Sequence, residues 1–328
     1  MQPLLAEQLH AGGLLSDASL QKIKEREQGK LFSVHWELRT LLYLGVLLLS
    51  SGLGILVYKN IDTIGHQAVL AFIALVSAGC FYYCARHQPP FSAMKVASTG
   101  LLADYLLLLA CLSFASLIGY WQYQYGIFGD RYGLAFFIPL VVLLFSAYYF
   151  DHLGVLSMAI TNLAAWAGIA ITPLRILNDN DFDSPRLILT GILLGILLLA
   201  AAWTSERRKI KPHFAFTYTN FGMNMLFISC LAGLFEFERL YLLWFLVLAG
   251  VAAWFYQEGM RRRSFYFVLM LSLYGYIGLG YTITRLLFST DFDIGILILD
   301  FIYFILSATG LIIFLVRTAK KMKRHDSV

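Results

Sequence analysis

The stretch GLLADYLLLLACLSFASLIGYW, residues 100–121, decides the class of fold, because it runs for 22 residues with Asp104 as its single charge. Bilayer hydrocarbon is about 30 Å thick and an α-helix rises about 1.5 Å per residue, so roughly 20 mostly apolar residues cross it. Residues 100–121 meet that length, and the rest of the chain repeats the pattern. Of its 328 residues 59% are hydrophobic and 14% charged, with a mean hydropathy of +0.70. A water-soluble globule cannot hide that much apolar surface. Period-two alternation is missing, so the backbone polar groups must be satisfied within helices rather than in a closed barrel. The expected fold is all-α, a polytopic transmembrane helix bundle.

Ten stretches qualify as spans: 38–58, 67–84, 96–120, 133–150, 152–172, 187–203, 214–235, 240–257, 265–288 and 294–316. Three parts follow: a cytoplasmic amphipathic helix pair over 1–36, the bundle over 37–317 and a basic tail over 318–328. The polar-rich first 36 residues lack the apolar core of a cleavable signal peptide. Cys80, Cys84, Cys111 and Cys230 all fall within spans without a C-x-x-C spacing, and are read as small apolar side chains.

Charge orients the bundle. Nineteen of the 25 Lys and Arg residues fall on one side: five before or at the first span, Arg86 and Lys95, Arg207 to Lys211, Arg261 to Arg263, and the tail from Arg317. Lys59, Arg131, Arg175, Arg186, Arg239 and Arg285 fall on the other. The positive-inside rule then predicts cytoplasmic amino and carboxyl termini. Topology and anionic lipid account for the net charge of +5 without a nucleic-acid partner. The opposite connections lean acidic, with NDNDFD at 178–183, EFE at 236–238 and STDFD at 289–293.

In the amino-terminal segment, Gly12 and Gly13 split two short leucine-rich helices, and Ser16 is placed to cap the second. The segment is too short to fold alone, so it is expected to pack on the bundle or on a protein partner. The GLLS turn at 13–16, the glycine-containing first span ending in KNIDTIG at 59–65, and LLADYLLLL at 101–109 together resemble the bacterial predicted-membrane-protein family called domain of unknown function 2157. The chain departs from that pattern at Ile61, between Asn60 and Asp62, and at Ala103, before Asp104 and Tyr105. The resemblance implies a bacterial cytoplasmic (inner) membrane setting and no activity.

Ionisable side chains inside a bilayer are costly, and Asp104 and Asp300 are the two to explain. Arg285 and Asp300 lie at equal distances from the last turn and are expected to form an intramembrane ion pair. With the membrane boundary near Val96, Asp104 lies about eight residues deep. Asn162, Asn220, Asn224 and Tyr274 fall in the same slab, about 9 to 18 Å from the cytoplasmic edge, as do Ser50 and Ser51. Two readings stand side by side: interhelical hydrogen bonds that hold the bundle together, or a hydrated proton or ion site formed by Asp104, Tyr105, Asn162, Asn220, Asn224 and Tyr274. Asn60, Asp62 and His66 cluster in an outer turn, where helix capping is favoured over metal binding because three mixed ligands on one loop are an incomplete site. The repeat of Gly191 and Gly195 predicts close helix contact.

No protease, hydrolase, nucleotide or dinucleotide motif occurs, and no cofactor or metal is expected. A transporter or channel-like protein handling a small solute or proton is the leading expectation. A structural, sensory or assembly protein acting through residues 1–36 is the alternative, and an enzyme comes third.

Overall fold

A computed structural model of the protein describes residues 65–88, 90–96, 100–171, 185–288 and 294–324, with His10, Ser16, Asp17, Ser19, Leu41, Leu44 and Leu48 placed singly. The chain divides into two compact units, Met1–His66 and Gln67–Val328. In the first, Ser16 directly precedes helical Asp17, its Oγ 2.9 Å from Ser19 Oγ, and His10 Nε2 lies 3.2 Å from Asp17 Oδ1. Leu41, Leu44 and Leu48, from the first expected span, are helical. Asn60, Asp62, Ser50 and Ser51 lie outside the described residues; His66 opens the first complete helix.

Among the described residues there are nine α-helices and no strand: α1 His66–His87, α2 Leu101–Tyr125, α3 Tyr132–Phe150, α4 Leu153–Ile171, α5 Pro185–Arg208, α6 Phe214–Glu236, α7 Tyr241–Arg261, α8 Phe265–Leu287 and α9 Ile294–Arg324. They coincide with the second to tenth expected spans. Eight are long and apolar enough to cross a membrane, while α4 offers a shorter apolar run, Leu153–Ile169. Short connections make successive helices antiparallel. The carboxyl ends of α1, α5, α7 and α9 thus share a basic end, carrying Arg86, Arg207, Arg208, Arg261 and Arg317.

α6 is the central helix. Phe214, Ala215 and Tyr218 join an apolar cluster with α2 to α5, whereas Met223 to Leu234 join a second cluster with α7 and α8. Its partner α5 approaches closely because Gly195 and Gly222 face each other. A Cβ on Gly195 would stand 2.7 Å from Leu226 Cγ and 3.1 Å from the Gly222 carbonyl oxygen. Side chains at these places would force the backbones apart, as in small-residue interfaces of membrane helices generally. The expectation for Gly191 and Gly195 thus has a geometric cause, Gly191 seating directly on Ser229 Oγ. Around the rim, α9 exposes Leu297, Phe301, Ile305, Leu306 and Ile312. Such a surface is matched only by the acyl chains of a bilayer, so the protein is a multi-pass membrane protein in contact with lipid.

Candidate functional site

The densest cluster of titratable side chains forms at the basic end, where three connections meet. α3 and α4 are joined by Asp151 and His152 alone. Asp151 takes the left-handed conformation (φ 57°), which Asp tolerates better than most residues, and its N–H donates to the Ala147 carbonyl to close α3. So short a turn leaves its side chain no path to water. The Asp151 carboxylate, 2% exposed, is approached from three directions: His213 Nε2 is hydrogen-bonded to Oδ1 at 2.7 Å, the Val96 N–H donates to Oδ2 at 2.6 Å, and Lys211 Nζ forms an ion pair at 3.2 Å from Oδ1.

Lys211 is wholly buried. Its N–H donates to the Ala93 carbonyl at 2.7 Å, its own carbonyl accepts from Ser205 Oγ at 2.9 Å, and its ammonium stands 5.3 Å from the centre of the Phe91 ring. Lys209 and Lys211 both take left-handed backbone, which costs an L-residue about 1–2 kcal/mol and is sustained here by these contacts. Lys211 Nζ is close to Asp151 but off hydrogen-bond alignment, and it and His213 Nδ1 are buried without a hydrogen-bond partner. A buried ammonium with one carboxylate contact and unspent donors is a high-energy arrangement, viable only while that carboxylate stays charged.

Asp104 stands beside this cluster. α2 begins at Leu101, so Asp104 lies in the first helical turn, shallower than an edge at Val96 implies, where the positive end of the helix dipole favours a carboxylate. Its Oδ1 lies 4.0 Å from His152 Nε2, and its side chain is 34% exposed against 16% for His152. His152 Nδ1 accepts the Val155 N–H at 3.2 Å, capping α4, which leaves the protonated Nε2 directed at Asp104. Burial pushes the His152 pKa below its ordinary value, and Asp104 opposes that shift. Tyr105, next in sequence, is exposed.

The remaining residues of the expected polar slab do not meet Asp104. Asn162 Nδ2 donates to the Phe136 carbonyl at 2.7 Å, joining α4 to α3. Asn220 and Asn224 form a ladder between α6 and α8: Tyr266 OH donates to Asn220 Oδ1 at 2.7 Å, Tyr274 OH to Asn224 Oδ1 at 2.8 Å, and Asn224 Nδ2 to Asn220 Oδ1 at 3.0 Å. Similar depth along same-direction helices does not bring side chains together when they point into different seams.

The Arg285 and Asp300 expectation fails on angle as well. Asp300 accepts from Thr284 Oγ1 at 2.9 Å, so its depth matches the Arg285 level. Successive helical residues diverge by about 100°, and Arg285 instead extends to Glu238 Oε2 at 3.2 Å and Tyr281 OH at 2.6 Å, with Tyr241 beneath its guanidinium. Among the described residues no group of three or more metal-ligating side chains occurs.

Sequence reasoning missed Asp151, His152, Lys211 and His213. In the charge pattern Lys211 is only one more basic residue on its side of the membrane, and His152 and His213 belong to no recognisable motif. The available signal was length: a connection of one or two residues at 151–152 strands a carboxylate at the bundle's end, and a buried carboxylate requires cations.

Residues 7–156 match the family model described as predicted membrane protein (DUF2157), so the resemblance carried by the GLLS turn and LLADYLLLL extends through α2 and α3 to the His152 turn. No curated protein and no solved structure matches the chain significantly.

Proposed function

We propose that the protein is a proton- or ion-linked transporter of a bacterial inner membrane, with Asp104 and His152 as the accessible proton-exchanging pair. The observation that carries this reading is the step in exposure: the Asp104 side chain is 34% exposed, His152 and His213 are about half as exposed at 16% and 17%, and the adjoining Asp151 and Lys211 are buried. A carboxylate and an imidazole at this separation change their pairing when either one titrates, which suits transfer between solvent and a dry interior. The positive-inside rule supports a cytoplasmic position for the basic end, and with it for the pair.

The test is proton flux into liposomes containing the reconstituted protein, driven by a potassium diffusion potential and read with an internal pH dye. Asp104→Asn and His152→Gln are each expected to lower flux at least about tenfold, a loss typical of removing a positioned proton-transfer group. Flux equal to the parent in both folded variants would overturn the transport reading. It would leave the cluster as a structural clamp, a reading favoured by Asp151 joining the segment before α2, the α3–α4 turn and the α5–α6 turn.

A further inference from the structure

At the end opposite the basic cluster, α4 separates from α5 and α6 around a cavity of about 440 Å³, within the range of small-molecule sites of about 300–1,000 Å³. Its origin is local. α5 and α6 are drawn together by glycines, while α4 faces them with Ala164, Ala165, Ala167 and Gly168, which are too small to fill the gap. The lining is apolar except for two hydroxyls, Thr190 and Ser229. Thr190 Oγ1 is already committed to the Arg186 carbonyl at 2.7 Å. Ile228, 54% exposed, stands at the rim, so the cavity opens on the lipid-facing surface of the bundle. Such a space excludes a polar solute and admits a hydrocarbon chain.

Arg186 supplies the second half of the site. It lies one turn before Thr190 on the same face of α5, adjacent to the cavity residue Leu187 and at the helix end where a phospholipid headgroup would sit. It is exposed and forms no salt bridge among the described residues. It is also one of the six basic residues placed against the general charge asymmetry of the chain. We infer that the cavity between α4, α5 and α6 holds an acyl chain of one anionic glycerophospholipid whose phosphate pairs with Arg186. This site is independent of proton exchange at Asp104, which lies at the other end of the bundle.

The experiment uses the full chain in nanodiscs containing equal phosphatidylglycerol and phosphatidylcholine, followed by native mass spectrometry of the released protein. One retained phosphatidylglycerol is expected, preferred about fivefold, the factor equivalent to about 1 kcal/mol for one basic residue at an anionic surface. Arg186→Glu should bring the preference to about unity, and Ala167→Phe or Ala232→Phe should abolish retention, whereas Leu299→Phe on the lipid face of α9 should change nothing. Equal retention of both lipids by the parent, or unchanged retention in the two filled variants, overturns the inference. Because a filling variant can fail to fold, the parent is also photolabelled with a diazirine-bearing phosphatidylglycerol. Label concentrated at 164–168 and 187–191 supports the site, and label spread over α9 with none at those positions overturns it.

Discussion

The two ends of the bundle are built differently. At the basic end, Asp151 leaves the solvent and gathers Lys211, His213 and the Val96 N–H, while nearer the solvent Arg262 grips Glu206 on α5 through both guanidinium nitrogens, at 2.6 and 3.1 Å, and also pairs with Glu258. At the far end, Arg285 and Glu238 pair at the surface, Glu238 being 75% exposed. Apolar rings supply the rest, with Phe237 stacked on Trp244 and Phe235 edge-on to Tyr281. An ion pair in water is replaceable because either partner can be rehydrated. One buried between helix ends has no such fallback, so removing half of it leaves an uncompensated charge. The contrast assigns rigidity to the basic end and leaves space at the other, where the cavity beside α4 opens.

Breaking the buried end should have the largest effect. Asp151→Asn strands the Lys211 ammonium and is expected to cost about 3–5 kcal/mol, read as a large fall in thermal unfolding temperature in detergent. Adding Lys211→Met to the same chain should restore much of that loss, because the apolar stem is kept and the orphaned charge removed. If Asp151→Asn alone is no less stable than the parent, the clamp is not the basis of rigidity.

Next comes the midsection that links the ends. Gly195→Val should destabilise by about 1–3 kcal/mol, the usual range for overpacking a tight core, because the new side chain meets Leu226 and the Gly222 carbonyl. The same thermal assay reports it.

A pH series sharpens the comparison. Since the His152 pKa is depressed in the folded protein, the unfolded chain binds more protons below its ordinary value near 6.5. The contribution of neutral His152 is therefore complete above that value and is lost as pH falls through the unfolded and then the folded pKa. His152→Gln should flatten this acid limb of the stability curve while leaving stability above pH 7 little changed. An identical acid limb in both proteins would assign it to another group.

Smaller effects follow from the ladder between α6 and α8. Tyr274→Phe or Tyr266→Phe removes one hydrogen bond to an asparagine that keeps others, for a loss of about 0.6 kcal/mol, the average for interhelical bonds in membranes. A double-mutant cycle with Asn224→Ala measures the coupling of Tyr274. Finally, Glu238→Gln at the exposed end is expected to leave the unfolding temperature unchanged, because a surface pair contributes little. A marked drop there would erase the distinction between the two ends.

The class of the fold was legible from composition and span length because lipid imposes them on any membrane-crossing chain. The described helices α1 to α8 begin and end within about five residues of their expected spans, α9 continues eight residues further into the basic tail, to Arg324, and the glycines of α5 announced close contact. The candidate site was partly legible: the isolation of Asp104 among leucines marked it as requiring a partner. That partner, His152, was not identifiable, because it depends on α2 starting at Leu101 and on the fold of a two-residue turn.

The sequence by itself determined that the chain is a helical membrane protein and that the basic residues ending α1, α5, α7 and α9 gather at one end of these helices, since hydrophobic length and charge act through local chain properties. Tertiary structure alone decided which polar groups meet. Depth is additive along a helix and can be counted, but the angle at which a side chain leaves its helix has consequence only once neighbours are packed. That is why Asn220 finds Tyr266, Arg285 turns from Asp300 to Glu238, and Lys211 leaves an apparently exposed connection to be buried against Asp151.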